Sequence, residues 1–150
     1  MVWKPNVTVA SVLELDGKFL LVEEHTPDGV LFNQPAGHLE PGESLIEAAV
    51  RETLEESGYT FEPQAIVGIY QWQSVKTTYL RFAFTGRILA HDPERKLDEG
   101  IIRAIWLHPD EIATMRHRSP MVHQCMVDYL DGKRYPPDII THYPIQQEGT

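Results

Sequence analysis

Apolar and polar positions alternate at the beginning of the chain. The apolar members, at odd-numbered positions, are Val7, Val9, Leu13 and Leu15. Alternation with a period of two predicts a half-buried strand, because successive side chains of a strand point to opposite faces of the sheet. Asp16-Gly17 is a turn sequence, and residues 19–24 then predict the returning strand of a β-hairpin.

Three longer stretches in the second half of the chain also predict strands. They cover residues 65–75, 77–89 and 101–107. A polar connection, residues 92–100, separates the last two of these strands. The strands thus come mostly before the last helices.

Two helices are predicted after the last strand. Residues 109–115 predict a short one, and Ser119-Pro120 begins another that Gly132 ends. The apolar stripe of the second helix consists of Met121, Val122, Cys125, Met126, Tyr129 and Leu130. Strands combined with few helices are typical of the α+β class.

An earlier helix has clear signals at both ends. Ser44 precedes Glu47 by three residues, which is the spacing of a capping box, and Gly58 is a C-terminal stop. Between them, apolar residues at helical spacing are Leu45, Ala48, Ala49 and Val50. We therefore expect a helix over residues 45–57.

The acidic side chains of this helix share one face. At 100° per residue, Glu55 and Glu56 lie about 60° and about 40° to either side of Glu52. Like charges at these spacings repel one another, whereas a hard divalent cation such as Mg²⁺ would coordinate them. Arg51 is four residues from both Glu47 and Glu55, so either pair is a possible ion pair.

A solvated acidic helix face is the simpler interpretation of a few glutamates, but the full spacing changes this balance. The fixed positions are Gly37, Glu43, Arg51, Glu52, Glu55, Glu56 and Gly58. Their pattern resembles the Nudix box, the signature of Nudix hydrolases. Thr53 and Tyr59 depart from the usual form at two positions that concern packing of the helix on its sheet.

The resemblance implies a Nudix-type α/β/α sandwich with a central mixed β-sheet, and hydrolysis of phosphorus-containing acid anhydrides. It implies Mg²⁺ as cofactor, with Mn²⁺ as a substitute. The metal ligands it implies are Gly37, Glu52, Glu55 and Glu56, and the catalytic residues are Arg51, Glu52, Glu55, Glu56 and Glu99. For the general base, Glu52 is one candidate, and Asp98 or Glu99 is another.

Candidate substrate-binding residues lie outside the box. Tyr70 and Trp72 share one strand face and would stack on a base, although strand aromatics more often belong to the core. Arg81 would contact a phosphate, with an exposed edge charge as the alternative. Gln34 and His38 flank Gly37 and are candidates too, although surface loop polarity also explains them.

A narrower resemblance within the family is carried by the segments NQPAGHLE, IYQWQS, YLRFAF, RHRSPMV and GKRYPPDII. It implies release of orthophosphate from nucleoside tri- and diphosphates, with hydroxymethylpyrimidine diphosphate as a further substrate. The alternative within the family is a pyrophosphatase acting on ADP-ribose or dinucleoside polyphosphates. The alternative from another class is a sensor that binds a nucleotide without cleaving it.

Composition restricts the possible partners. The 150 residues suit a single domain over 1–150, and the formal net charge of −9 disfavours long nucleic acid as a partner. Metal ions and a few local cations, such as Lys18, Arg81 or Arg103, must then offset the charge of a polyphosphate. One cysteine, no signal peptide and no membrane-spanning run favour a cytoplasmic protein, either a monomer or a homodimer.

Overall fold

The computed structural model describes residues 2–146; residues 1 and 147–150, and with them the ends of the expected domain, lie outside the described part. The strands are β1 (Asn6–Ser11), β2 (Glu14–Leu15), β3 (Lys18–Thr26), β4 (Gly29–Asn33), β5 (Ala36–His38), β6 (Tyr59–Gln73), β7 (Thr78–His91) and β8 (Ile101–Leu107). The helices are α1 (Leu45–Ser57), α2 (Pro109–Ala113) and α3 (Pro120–Leu130), followed by a 3₁₀ turn, Pro137–Ile139. None of the helices within residues 2–146 is long and apolar enough to cross a bilayer.

The strands form two sheets of four. One has the order β5-β1-β7-β6, with β1 and β7 parallel and the other pairs antiparallel. In the other sheet, β3 pairs with β2, β4 and β8, all antiparallel. The expected mixed sheet is confirmed.

Helices cover both faces of the mixed sheet, which confirms the α+β sandwich. Val9 packs with Ala48 and Ala49 of α1, whereas the next residue, Ala10, packs with Cys125 and Met126 of α3. The prediction of a half-buried first strand was therefore wrong. A central strand with a helix layer on each side buries alternate side chains in both directions.

The predicted hairpin is confirmed, but its first strand is interrupted. Leu15 pairs with Lys18, and the two residues between them, Asp16 and Gly17, both have positive φ (52° and 81°). Such angles characterise the two-residue turns that match strand twist. β4 and β5 were not predicted, because both are short and follow turn-rich sequence.

The helix α1 has the predicted boundaries. The Ser44 side chain accepts from the Glu47 N–H, the Glu47 side chain accepts from the Ser44 N–H, and Gly58 adopts the left-handed conformation. The Glu47–Arg51 ion pair was a wrong prediction, because capping occupies the Glu47 carboxylate.

The two departures from the usual box have polar partners. The buried Thr53 hydroxyl donates to the Ala49 carbonyl at 2.7 Å. Tyr59 accepts a hydrogen bond from the Trp106 indole at 2.9 Å and stacks on His91. Packing of α1 on the sheet thus tolerates both residues.

The segment after α3 packs across the body of the protein as far as Ile140. Tyr135 forms a two-way backbone bridge with Ile66, at 2.8 Å in each direction. Ile140 packs against the core on the α1 side of the sheet.

Candidate functional site

A cleft of about 690 Å³ opens beside the mixed sheet. The end of α1 contributes carboxylates to its wall, and the β6–β7 hairpin contributes aromatic side chains. The residues that line it include Thr8, Glu24, Asn33, Gly37, His38, Glu52, Glu56, Trp72, Lys76, Tyr79, Arg81 and Arg118.

Three carboxylates converge at one side of this cleft. Oxygens of Glu52, Glu56 and Asp98 lie within 4.8 Å of one another. Asp98 comes from the β7–β8 connection and is held there by its backbone N–H, which donates to the Glu55 carbonyl at 3.0 Å. The structure therefore adds a residue from a distant loop to the helix face that the sequence indicated.

The carboxylates of this cluster are electrostatically unfavourable as they stand. Burial raises the pKa of Glu56 to about 8, against the lowering effect of a hydrogen bond from the Ala36 N–H. Burial also raises the pKa of Glu52 and of Asp98, and in each case the negative charge of Glu55 adds to the effect. A bound cation would relieve both the repulsion and the loss of hydration.

Arg51 ties the box loop to the helix. Its guanidinium donates twice to Glu43, at 3.0 and 2.7 Å, and once each to Glu52 at 2.8 Å and Glu55 at 2.7 Å. The Arg51–Glu55 pair was predicted, whereas Glu43 was not expected as a partner. Arg51 thus fixes the position of the Glu52 carboxylate, which lines the cleft, and of the Glu55 carboxylate on the same helix.

Gly37 lies against the carboxylate of Glu52. A Cβ built at this position would overlap the Glu52 carboxyl group. The absence of a side chain at Gly37 therefore allows Glu52 to reach the edge of β5.

The donor set of the cluster fits a hard divalent cation. Glu52, Glu56 and Asp98 supply only oxygen ligands, which suit Mg²⁺ or Mn²⁺ better than soft metals. Glu55, one of the expected ligands, is not part of this trio within the described chain, and Arg51 binds its carboxylate.

The structure does not bring Glu99 to the cluster. The Ile101 N–H donates to the Asp98 carbonyl at 3.0 Å, closing a turn in which Gly100 has φ of 92°. Glu99 lies at an exposed corner of this turn. Of the two adjacent acidic residues, only Asp98 faces Glu52 and Glu56.

The two aromatic candidates on β6 have different surroundings. The Tyr70 hydroxyl donates to Asp128 at 2.7 Å, and Tyr70 is not among the residues that line the cleft. Burial raises the pKa of Tyr70 well above its usual range. Trp72 lines the cleft and stacks on Tyr79, with ring centroids 5.4 Å apart.

Gln34 and His38 are also separated by the structure. Gln34 is buried, its amide donates to the Val122 carbonyl at 2.8 Å, and its oxygen accepts from Arg81 at 3.0 Å. It therefore lies behind the cleft wall. His38 is exposed and lines the cleft.

The cations of the cleft differ from those named from the sequence. Arg81 lines the cleft and is buried on a central strand, so the exposed-edge alternative is wrong. Lys18 and Arg103 do not line it, and Arg103 instead faces Glu23 at 3.5 Å. Lys76 and Arg118 line it but were not predicted.

Glu24 was missed as a cleft residue as well. It is buried and accepts from Arg118 at 2.8 Å. Arg118 belongs to the segment RHRSPMV that carried the narrower resemblance, so a sequence signal existed without an assigned role.

Comparisons with known proteins agree with this geometry. A profile of the NUDIX domain matches residues 2–129. The chain is 42% identical over 140 residues to Phosphatase NudJ of Escherichia coli strain K12, with 92% of each protein covered.

Solved structures give the same family. A NUDIX hydrolase from Nitrosomonas europaea is 56% identical with a TM-score of 0.89, and the match covers 93% of this chain and 98% of that one. Another NUDIX hydrolase from the same organism, 22% identical with a TM-score of 0.74, covers 89% of this chain and 74% of that one and shows the fold alone. The chain therefore belongs to the Nudix hydrolase family, whose members cleave acid anhydrides of phosphorus.

Proposed function

We propose that this hydrolase is a divalent-cation-dependent phosphatase that releases orthophosphate from nucleoside tri- and diphosphates, with hydroxymethylpyrimidine diphosphate as a further candidate substrate. The observation that carries the proposal is one cleft lined by the acidic residues Glu52 and Glu56, the cation Arg81 and the aromatic Trp72. Such a cleft offers separate partners for metal-bound phosphate, free phosphate and a planar ring. Similarity to Phosphatase NudJ supports orthophosphate as the released product.

Glu52, Glu56 and Asp98 would hold the metal, with Gly37 and Glu55 as further expected ligands. When bound, Mg²⁺ or Mn²⁺ neutralises phosphate oxygens and lowers the pKa of a water molecule. Arg51 keeps Glu52 and Glu55 in place by direct hydrogen bonds.

Either Glu52 or Asp98 accepts the proton of the attacking water in this proposal. Both carboxylates belong to the same cluster, so each is a candidate acceptor for that proton. Glu52→Gln and Asp98→Asn distinguish them: when both are assayed at saturating metal, the variant with the larger loss of kcat identifies the base.

Trp72 and Tyr79 would hold the ring of the substrate. Their stacked side chains come from β6 and β7, whereas β5, which contacts Glu52 and Glu56, lies at the opposite edge of the mixed sheet. Stacking on aromatic side chains is tolerant of base identity, which suits a phosphatase with several nucleotide substrates.

The test is hydrolysis across a substrate panel with Mg²⁺, with Mn²⁺ and with a chelator, with every product identified. The panel contains nucleoside di- and triphosphates, hydroxymethylpyrimidine diphosphate, ADP-ribose and dinucleoside polyphosphates. We expect metal-dependent release of orthophosphate from the first two groups. Cleavage only of ADP-ribose or dinucleoside polyphosphates would instead identify a pyrophosphatase, and binding without turnover would identify a sensor.

The proposed compartment is the cytoplasm, and the proposed partners are small phosphorylated substrates. Cys125 is the single cysteine of the sequence and is buried, so the protein forms no internal disulfide and does not depend on an oxidising compartment for one. Light scattering after size exclusion would distinguish the monomer from the homodimer.

A further inference from the structure

Two buried polar atoms in residues that line the cleft have no hydrogen-bond partner in the described part of the chain. Within residues 2–146, the buried side-chain nitrogen and oxygen atoms without a partner are Thr8 Oγ1 and Arg81 Nε. Both residues line the cleft, and they face each other directly in the parallel pairing of β1 with β7. The two residues of the described chain that carry these groups are therefore direct neighbours in the sheet.

The charge of Arg81 is also uncompensated. The residue is 3% exposed, yet its hydrogen-bond partners are all neutral: Gln34 Oε1 and Asn33 Oδ1, each at 3.0 Å, and Cys125 Sγ at 4.0 Å. No carboxylate of the described chain forms an ion pair with it. A buried cation is costly unless an anion pairs with it.

The guanidinium retains donors for such an anion. It has five N–H groups, of which Gln34, Asn33 and Cys125 accept three, so that Nε–H and one more remain. The Thr8 hydroxyl, on the neighbouring strand, supplies another donor. A water molecule would satisfy these hydrogen bonds without balancing the charge, whereas an oxyanion does both.

We infer that Thr8 and Arg81 form an anion subsite that takes a phosphoryl group of the substrate, with Asn33 and Gln34 as positioning residues. The identity of the anion as a phosphoryl group rests on the proposed function. The subsite itself rests on the buried, unpartnered donors.

The sheet order shows which phosphoryl group the subsite takes. In the row β5-β1-β7, Thr8 pairs with His38 on one side and with Arg81 on the other, so Arg81 lies about 10 Å from β5, the strand at the carboxylate cluster. Tyr79, two residues before Arg81, shares its face and pairs with Trp72. Arg81 thus lies between the aromatic pair and the carboxylates, where the phosphoryl group that stays on the product would be held.

Binding of inorganic phosphate to metal-free protein tests the subsite directly. With a chelator present, thermal shift and calorimetry report phosphate bound without help from the acidic cluster. We expect wild type to be stabilised by phosphate, Arg81→Gln to lose the effect, and Arg81→Lys to retain only part of it. The KM for a nucleoside diphosphate should rise about tenfold or more in Arg81→Gln, the scale of a hydrogen bond to a charged group.

Thr8→Val gives a signature that a purely structural role would not produce. This variant keeps the side-chain shape and removes an unpartnered hydroxyl, so the phosphate-free protein should be as stable as wild type or more stable. Its phosphate affinity should nevertheless fall about threefold or more. If Arg81→Gln fails to fold, this variant still decides the question.

Matched controls lie on the same strand. Thr85→Val and Arg87→Gln change buried and exposed positions of β7 that do not line the cleft, and both should bind phosphate like wild type. Unchanged phosphate binding in Thr8→Val and Arg81→Gln would overturn the subsite, even if wild type hydrolyses nucleotides. Phosphate binding that needs both residues, in a protein that hydrolyses no nucleotide, would overturn the proposed function and leave the subsite intact.

Discussion

Arg51 and Arg81 occupy opposite electrostatic settings in one small protein. Arg51 hydrogen-bonds to the carboxylates of Glu43, Glu52 and Glu55, whereas Arg81 is surrounded by neutral acceptors only. The pKa of Arg51 is raised above its usual value, first by its hydrogen bonds with Glu43. One arginine is already paired within the protein, and the other has donors to spare.

The difference assigns the two arginines different roles. A guanidinium saturated by carboxylates organises them and has little left for a ligand, so Arg51 is a positioning residue. Arg81 can gain a counter-charge only from outside the described chain. The acidic cluster has the complementary imbalance, with carboxylates that need a cation. Substrate and metal together would balance both ends of the cleft.

Replacing Glu56 should have the largest effect on activity of the changes at the acidic end of the cleft, formed by Glu52, Glu56 and Asp98. Glu56→Gln removes one charge from the trio, and we expect kcat to fall by about 100-fold or more, the scale of losing a group that acts directly on the reaction. The metal-free protein should become more stable at neutral pH, because the raised pKa of Glu56 favours the unfolded state, in which this carboxyl group ionises freely, and Gln does not ionise. Steady-state kinetics and thermal unfolding with a chelator measure the two changes.

Glu94→Gln is the control for that experiment, because Glu94 is exposed in the β7–β8 connection. It should leave both rate and stability near wild type. A Glu56→Gln variant with normal kcat would contradict the metal role of the cluster. The different roles assigned to Arg51 and Arg81 would then lose their support.

Adding a methyl group at Gly37 tests whether activity depends on the close approach of the Glu52 carboxylate to β5. In Gly37→Ala, the new Cβ would overlap the Glu52 carboxylate, so Glu52 must move away from the position that Arg51 holds. We expect kcat/KM to fall about 10–100-fold, as for other changes that displace a metal ligand. The double variant Gly37→Ala/Glu52→Asp shortens the displaced side chain and should recover part of the loss. If Gly37→Ala is as active as wild type, the proximity of Gly37 to Glu52 has no catalytic consequence.

The two ends of the cleft also differ in how well the sequence predicts them. Most of the acidic end lies within one helix and its loop, where capping residues and helical spacing fix which side chains share a face. The sequence does not show that Asp98, and not Glu99, joins the carboxylate cluster, because this depends on a backbone hydrogen bond to Glu55 and on a turn.

The surroundings of Arg81 were harder to predict from the sequence. Its neutral partners are Asn33 at the end of β4, the next residue Gln34, and Cys125 of α3, which lies far away in the chain. A strand pattern shows which face a side chain occupies but not what covers that face. Arg81 was therefore named as a phosphate ligand, while Thr8 was missed.

Removing Gln34, a positioning residue for Arg81, should have a smaller effect on activity than the changes at the acidic end. Gln34→Leu deletes the amide that accepts from Arg81 and donates to the Val122 carbonyl, leaving buried polar groups without partners. We expect a loss of about 1–3 kcal/mol in the free energy of unfolding, together with a several-fold higher KM. Denaturant unfolding and kinetics measure these, with the exposed Gln64→Leu as control. An unchanged KM would show that Arg81 needs no support from Gln34.

Replacing Asp128 should have the smallest effect. Its electrostatic environment differs from those of Arg51 and Arg81, because it is a buried carboxylate whose hydrogen-bond partners all belong to the protein. Burial would raise its pKa, but hydrogen bonds from Lys133, Tyr70 and Gln124 outweigh this and lower it. A carboxyl group with a lowered folded pKa contributes stability above its unfolded pKa of about 3.9, and the contribution is lost as pH falls through the folded value.

Asp128→Asn should therefore cost about 1 kcal/mol at neutral pH, the net contribution of a typical hydrogen bond. The difference from wild type should stay constant down to about pH 5 and shrink below about pH 4. Denaturant unfolding across this range measures it, with the exposed Asp131→Asn as the matched control. Phosphate should not change the difference, because Asp128 already has its partners. A phosphate-dependent difference would mean that Asp128 is energetically coupled to the Arg81 site, and the distinction between charges paired within the protein and charges left for ligands would not hold.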